Sequence, residues 1–171
     1  MPLSNDVRGL GVVCIALLTT PCLAETAKPE YGIREEALTG SAIKSYGVQG
    51  SPIAINKRYS ELSVEERASL NRYYEKMEPG DEPPFPSDGL KPVYEAIRKG
   101  QAKLLVEGEL ILVATVSDKG EVTEVKAVGS PSPEMTQFAA SVLFLTKFKP
   151  AVCQGQPCKM DYPFRLAFRL R

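Results

Sequence analysis

Apolar and polar residues alternate most regularly near the end of the chain. From residue 162 to residue 170 every second residue is apolar: Tyr162, Phe164, Leu166, Phe168 and Leu170. Such alternation predicts a β-strand with one face in the core and the other in water. Pro163 has no backbone N–H to donate to a neighbouring strand, so we expect this strand to lie at a sheet edge, at least near its start.

Two earlier segments alternate in the same way and face each other across a short turn. Residues 109–117 and 121–128 are rich in β-branched residues, which favour strands. Asp118-Lys119-Gly120 lies between them, and its glycine can adopt the positive φ that tight turns use. The pattern predicts a β-hairpin.

The apolar spacing becomes helical on either side of this hairpin. Ser132 suits an N-cap and Pro133 a first helical position, and apolar residues follow at helical spacing: Met135, Phe138, Ala139, Val142 and Leu145. An earlier helix is predicted with Pro92 in its first turn and Gly100 at its end.

From residue 90 the predicted order is therefore helix, strand, strand, helix, strand. This order predicts an α+β fold in which a helix packs on a small antiparallel sheet.

Residues 25–89 are expected to form a separate N-terminal segment with one helix. Ser63-Val64-Glu65-Glu66 matches a capping box, and Pro79-Gly80 ends the partial apolar stripe that follows, which predicts a helix over about 64–78. Residues 81–86 are rich in proline and must be extended. They mark the boundary with a domain of residues 90–171. The alternative is that this connector folds back and Phe85 anchors it in a shared core.

Residues 1–24 have the plan of a secretory signal. An apolar run over residues 9–18 follows a short polar start, and Cys22-Leu23-Ala24 precedes Glu25. The run is shorter than the roughly 20 residues of a membrane span. We therefore expect cleavage after Ala24 and export to the periplasm.

Cleavage at that position would leave Cys153 and Cys158 as the remaining cysteines. An even pair in an exported chain predicts a disulfide. The alternative is a redox or metal pair. Redox motifs usually hold two intervening residues and zinc needs about four ligands, whereas four residues separate this pair and the chain has no histidine.

The composition argues against several classes of function. Basic and acidic residues balance at 21 each, so no net field favours nucleic acid. The absence of histidine removes the commonest general base and any Ser-His-Asp arrangement. We find no cofactor motif and no phosphate loop. The sequence predicts a binding protein that uses neither a cofactor nor a metal and is not an enzyme.

The second half of the chain resembles the C-terminal domain of TonB. The matching pieces, in order, are Pro92 with Tyr94, Glu107-Gly108, 116–122 at the hairpin, Phe148-Lys149-Pro150-Ala151, Gly155-Gln156-Pro157, Pro163-Phe164-Arg165-Leu166 and Phe168-Arg169-Leu170. They cover about residues 90–170. The chain departs from TonB in having a short, cleavable signal in place of a retained anchor, no long Pro-rich linker, and a different sequence at 129–133. The resemblance therefore implies the fold and a style of binding, but not energy transduction by this chain alone.

The resemblance also implies how a partner is bound. An extended segment of an envelope protein, such as part of an outer-membrane receptor in a transport system, would pair with the edge of the last strand. The residues implicated are Asp161, Tyr162, Phe164, Arg165, Leu166, Ala167, Phe168 and Arg169. Two alternatives stay open. The arginines could simply guard the edge against aggregation, or residues 25–89 could carry docking or homodimerisation while the domain is structural.

Overall fold

The computed structural model describes residues 38–44 and 54–169. The predicted signal peptide and its cleavage site lie outside these residues. In chain order, the elements are a 3₁₀ turn Tyr59–Glu61, α1 Val64–Asn71, β1 Phe85–Pro86, α2 Lys91–Leu104, β2 Gly108–Val116, β3 Val122–Gly129, α3 Pro133–Leu145, β4 Phe148–Lys149, β5 Ala151–Cys153, β6 Gln156–Cys158 and β7 Met160–Phe168.

The central sheet has three antiparallel strands in the order β3-β2-β7. Its strands alternate as the sequence predicts, because every second side chain of β2 from Leu110 to Val116 is buried. These side chains share one core with Ile97 of α2 and with Met135 and Leu143 of α3. The predicted α+β class, with helices on a small antiparallel sheet, is confirmed.

The helix predicted from residue 90 is longer than expected, because Gly100 does not end it. α2 continues to Leu104 and closes with Leu105 in the left-handed conformation at φ 51°. Gly100 is needed instead for helix packing, since a Cβ there would lie 2.5 Å from the ring of Phe138 on α3.

The N-terminal segment contributes to the same core as the domain after it. Phe85 is fully buried, and its ring packs against that of Tyr59 with the centroids 6.0 Å apart and the planes tilted by 55°. β1 pairs with β4, with Phe85 opposite Lys149. Within residues 54–169, the connector is thus packed into the core of the domain.

The helix predicted over about 64–78 is only half that length. Its capping box is present, with Ser63 accepting from the Glu66 amide and Glu66 accepting from the Ser63 amide. α1 ends at Asn71 because the chain then turns to bury Tyr73 and Tyr74. Tyr74 also forms an antiparallel bridge with Ile43, which a continued helix would not allow.

Candidate functional site: the edge of the last strand

The predicted binding residues lie on or directly after β7, which is an outer strand of the central sheet as far as residues 38–44 and 54–169 show. Tyr162, Phe164 and Phe168 point into the core and are buried, and Leu166 packs against it while partly exposed. Arg165 and Asp161 lie on the opposite face, and Ala167 is exposed. Arg169 follows directly after the strand.

β7 pairs with β2 in an unbroken register of nine residue pairs, from Gly108 opposite Phe168 to Val116 opposite Met160. In an antiparallel pair, hydrogen-bonded and non-hydrogen-bonded positions alternate. Pro163 lies opposite Val113 and cannot donate, so this pair is a non-hydrogen-bonded one. The backbone groups of the odd-numbered residues therefore point away from β2, and those of the even-numbered residues bond to it.

Three hydrogen bonds at or just before the start of β7 support this assignment. The backbone carbonyl of Asp161 accepts a 2.9 Å bond from the Tyr74 hydroxyl. The Lys159 amide donates to the Leu38 carbonyl at 2.6 Å, and the Lys159 carbonyl accepts from the Gly40 amide at 2.7 Å. The outer edge is thus occupied by other parts of the chain up to Asp161.

The segment around Gly40 approaches β7 closely, and sequence reasoning missed it. A Cβ at Gly40 would overlap the side chain of Met160 and lie 3.1 Å from Cys153 Sγ. A larger residue at position 40 would therefore require the flexible end of the Met160 side chain to move. The one signal of this close approach in the sequence was a glycine outside any periodic segment. A glycine by itself does not predict which residues it contacts.

Burial raises the pKa values of two tyrosines near the start of β7. It raises the pKa of the Tyr74 hydroxyl, and the nearby Asp161 carboxylate raises that pKa further. Burial also raises the pKa of Tyr162. Tyr74 therefore remains a neutral donor to the Asp161 carbonyl across the physiological range.

The face of the sheet opposite the helices carries paired polar side chains. The Arg165 guanidinium donates to a Glu109 carboxylate oxygen, and the Thr115 hydroxyl lies 2.7 Å from an Asp161 carboxylate oxygen. Each pair joins β7 to β2. The charge of Arg165 therefore contributes to cross-strand pairing as well as to the solubility of the edge.

The other outer strand, β3, is a less regular edge. Its pairing with β2 shifts register twice, between Ile111 and Leu112 and between Thr115 and Val116. Such irregularities twist a strand and disfavour further pairing. Of the two outer strands, β7 is the better template for an added strand.

The two cysteines form a disulfide across a small hairpin. Cys153 of β5 and Cys158 of β6 are bonded, with their Cα atoms 5.8 Å apart. Gln154 and Gly155 form the turn, both at positive φ, and Asp81 accepts a 2.9 Å bond from the Gln154 amide. Val152 and Glu82 exchange backbone bonds, so the hairpin also holds the proline-rich connector.

Within the described residues, no cluster of three or more His, Cys, Asp or Glu side chains is placed to hold a metal ion. No helix in that part of the chain has the length and apolar character to cross a membrane. No protein-family model matches the sequence, and none of the curated proteins compared with it matches significantly.

Proposed function

We propose that this chain is a protein-binding module that accepts an extended segment of a partner along the outer edge of β7. The proposal rests mainly on the unbroken register of nine residue pairs between β7 and β2, which directs the backbone groups of the odd-numbered residues of β7 away from β2. Strand addition needs such outward donors and acceptors, and Pro163 contributes only a carbonyl to them.

The chain itself pairs in this way just before β7. The Leu38–Gly40 backbone lies parallel to the chain at Lys159 and bonds to both of its backbone groups. On this proposal, an added strand would continue this pairing along β7. We place the partner's contact at Ala167, in the second half of β7, where the side chain is exposed and the amide, by the register with β2, points outward.

The resemblance to the TonB C-terminal domain and the expected signal peptide indicate where the proposed partner would be found. The partner would be an envelope protein in the periplasm, such as a segment of an outer-membrane receptor engaged in transport. The proposal assigns the chain no catalytic role, no cofactor and no part of its own in energy transduction.

The experiment compares three forms of the tagged full chain as baits in an envelope extract. Ala167→Pro removes one outward donor, and Ala167→Ser keeps it while changing the side chain. Proline at Phe164 or Leu166 would be unsuitable, because those amides bond to β2. Circular dichroism and melting must first show that all three baits are equally folded.

We expect a partner retained by the wild type and Ala167→Ser and lost by Ala167→Pro, with slower amide exchange at residue 167 in the complex. Equal retention by the serine and proline forms would exclude this edge. Retention of nothing by the wild type would count against the proposal as a whole.

A second candidate function is docking or dimerisation through residues 25–89. Among the described residues of this segment, three large apolar side chains are exposed, Val64 at 79%, Leu38 at 54% and Ile55 at 48%. Deleting the segment cannot test this, because its Phe85 and Tyr59 belong to the shared core. Instead, Val64→Glu combined with Ile55→Glu should abolish association under this candidate, while Ala167→Pro should leave it intact.

A further inference from the structure

A separate pocket of about 360 Å³ opens between the 3₁₀ turn, the connector and β4. Its volume lies at the lower end of the range for small-molecule sites. The residues that matter for its chemistry are Arg58, Tyr59, Ser60, Arg67, Glu82 and Lys149. None of them belongs to the edge of β7, so the inference does not depend on the proposed function.

Two cations of this pocket lie against the same aromatic ring. The Arg67 guanidinium carbon is 5.1 Å and the Lys149 Nζ is 4.5 Å from the centroid of Tyr59. The two charges are therefore within about 10 Å of each other, which is one Debye length at ordinary salt. Both side chains are only partly exposed, so solvent screens their repulsion less than it would on an open surface.

The acidic groups nearby do not balance these charges. Lys149 pairs with Glu82 at 2.9 Å. Arg67 has no carboxylate partner within residues 38–44 and 54–169; it donates to the Ser60 carbonyl at 3.0 Å, and its Nε is buried without a hydrogen-bond partner. Arg58 reaches Asp88 at 3.6 Å with both side chains largely exposed, a pairing worth little.

The tyrosine in the lining of the pocket, Tyr59, carries no charge that would repel an anion. Burial, then the Glu82 carboxylate, raises the pKa of Tyr59 to about 12, partly offset by Arg67. Its hydroxyl is therefore neutral at physiological pH.

We propose that this pocket binds the oxyanion of a small organic molecule, a carboxylate or a phosphate, with Arg67 as the principal ligand and Arg58 and Lys149 supporting it. An arginine fork matches the oxygens of either group. The bound charge would relieve the repulsion between Arg67 and Lys149.

The test is a titration of the ¹⁵N-labelled full chain followed by amide chemical shifts, at an ionic strength fixed with sodium chloride. The probes are inorganic phosphate, succinate and, as a neutral control, succinamide. We expect saturable shifts at the amides of Tyr59, Ser60, Ser87 and Lys149 with phosphate or succinate but not with succinamide. The tighter of the two anions identifies the oxyanion class.

Matched variants separate a site from a general charge effect. Arg67→Gln should weaken binding at least about tenfold, and Arg58→Gln should weaken it by a smaller factor while leaving the fold intact. Arg98→Gln, an exposed arginine of α2 outside the pocket, should change nothing. Shifts that do not saturate, or equal affinities for wild type and both pocket variants, would overturn the proposal.

Discussion

Residues 54–90 and residues 91–169 build one hydrophobic core in different ways. The later region buries side chains at regular intervals, as in Leu110, Leu112 and Ala114 of β2. The earlier region instead buries short groups of residues without a regular period, such as Tyr73-Tyr74 and the run from Pro83 to Pro86. Yet hydrophobic residues of both regions belong to the same cluster.

This difference between the two regions bears on how cooperatively the molecule unfolds. A periodic element contributes several side chains to the core at regular intervals. The connector has a single aromatic side chain in the core, Phe85, so we expect its packing to depend strongly on that ring. If the two regions unfold as one cooperative unit, a destabilising substitution in either region should lower the free energy of unfolding of both.

The largest expected effect is that of Phe85→Ala. Removing this fully buried ring should cost about 3–5 kcal/mol and lower the midpoint of a single unfolding transition. Urea unfolding followed by tyrosine fluorescence and by far-UV circular dichroism measures it. Phe144→Ala is the control: this ring is about half exposed, and its loss should change stability far less. Two transitions, with residues 91–169 unfolding at the wild-type midpoint, would separate the regions.

A smaller effect is expected from the disulfide. Replacing Cys153 and Cys158 together by alanine should cost about 2 kcal/mol, the chain-entropy value for so short a loop. Reducing the wild type with dithiothreitol should lower its melting temperature comparably, and reductant should leave the double variant unchanged. A double variant as stable as the wild type would show that β5 and β6 hold the connector without the bond.

The two serine caps offer a balanced comparison of the regions. Ser63 caps α1 by accepting from the Glu66 amide, and Ser132 caps α3 by accepting from the Met135 amide. Each change to alanine should cost about 1 kcal/mol of global stability. Denaturant melts of both variants test this. A Ser63→Ala form with unaltered global stability would mean that α1 unfolds on its own.

The smallest expected effect is a loss of stability at acidic pH that depends on Glu66. The Glu66 carboxylate accepts from the backbone amides of Ser63 and Ala54 and from Lys57, and these bonds, the Ser63 amide first, lower its pKa to about 2 from a usual 4.5. Because the folded-state pKa is the lower one, the contribution is complete above pH 4.5, falls as the pH drops towards 2, and is absent below.

The measurement is the difference in stability between wild type and Glu66→Gln at several pH values. We expect a constant difference from pH 7 to pH 5 that shrinks between pH 4.5 and pH 2. A difference independent of pH would mean that the charge of Glu66 is not what holds residues 54–57 to α1.

The same contrast explains how much of the molecule could be predicted from its sequence. The hairpin, α3 and β7 follow local periods and caps, and they agree with the structure. The predicted length of α1 disagrees with the structure, because Tyr73 and Tyr74 gain more by burial than by continuing a weakly amphipathic helix. Gly100 was misassigned because its small size serves Phe138, a residue distant in sequence.

For the candidate site, the edge strand and its residues could be predicted from alternation and from Pro163. The direction of each backbone group required the register with β2. The pocket around Tyr59 could not be foreseen, because Arg67, Glu82 and Lys149 come from three separate elements and none of them forms a sequence motif.

The pairing of Leu38–Gly40 at Lys159 has a consequence for alignment. Strands that add to an edge can slide along it two residues at a time while keeping their side chains on the same faces. Here the near end of the edge is blocked by Gly40 and by the Tyr74 hydroxyl on Asp161. A strand added by the proposed mode of binding could not extend past this occupied end. The start of β7 would therefore fix the register between β7 and the partner's strand.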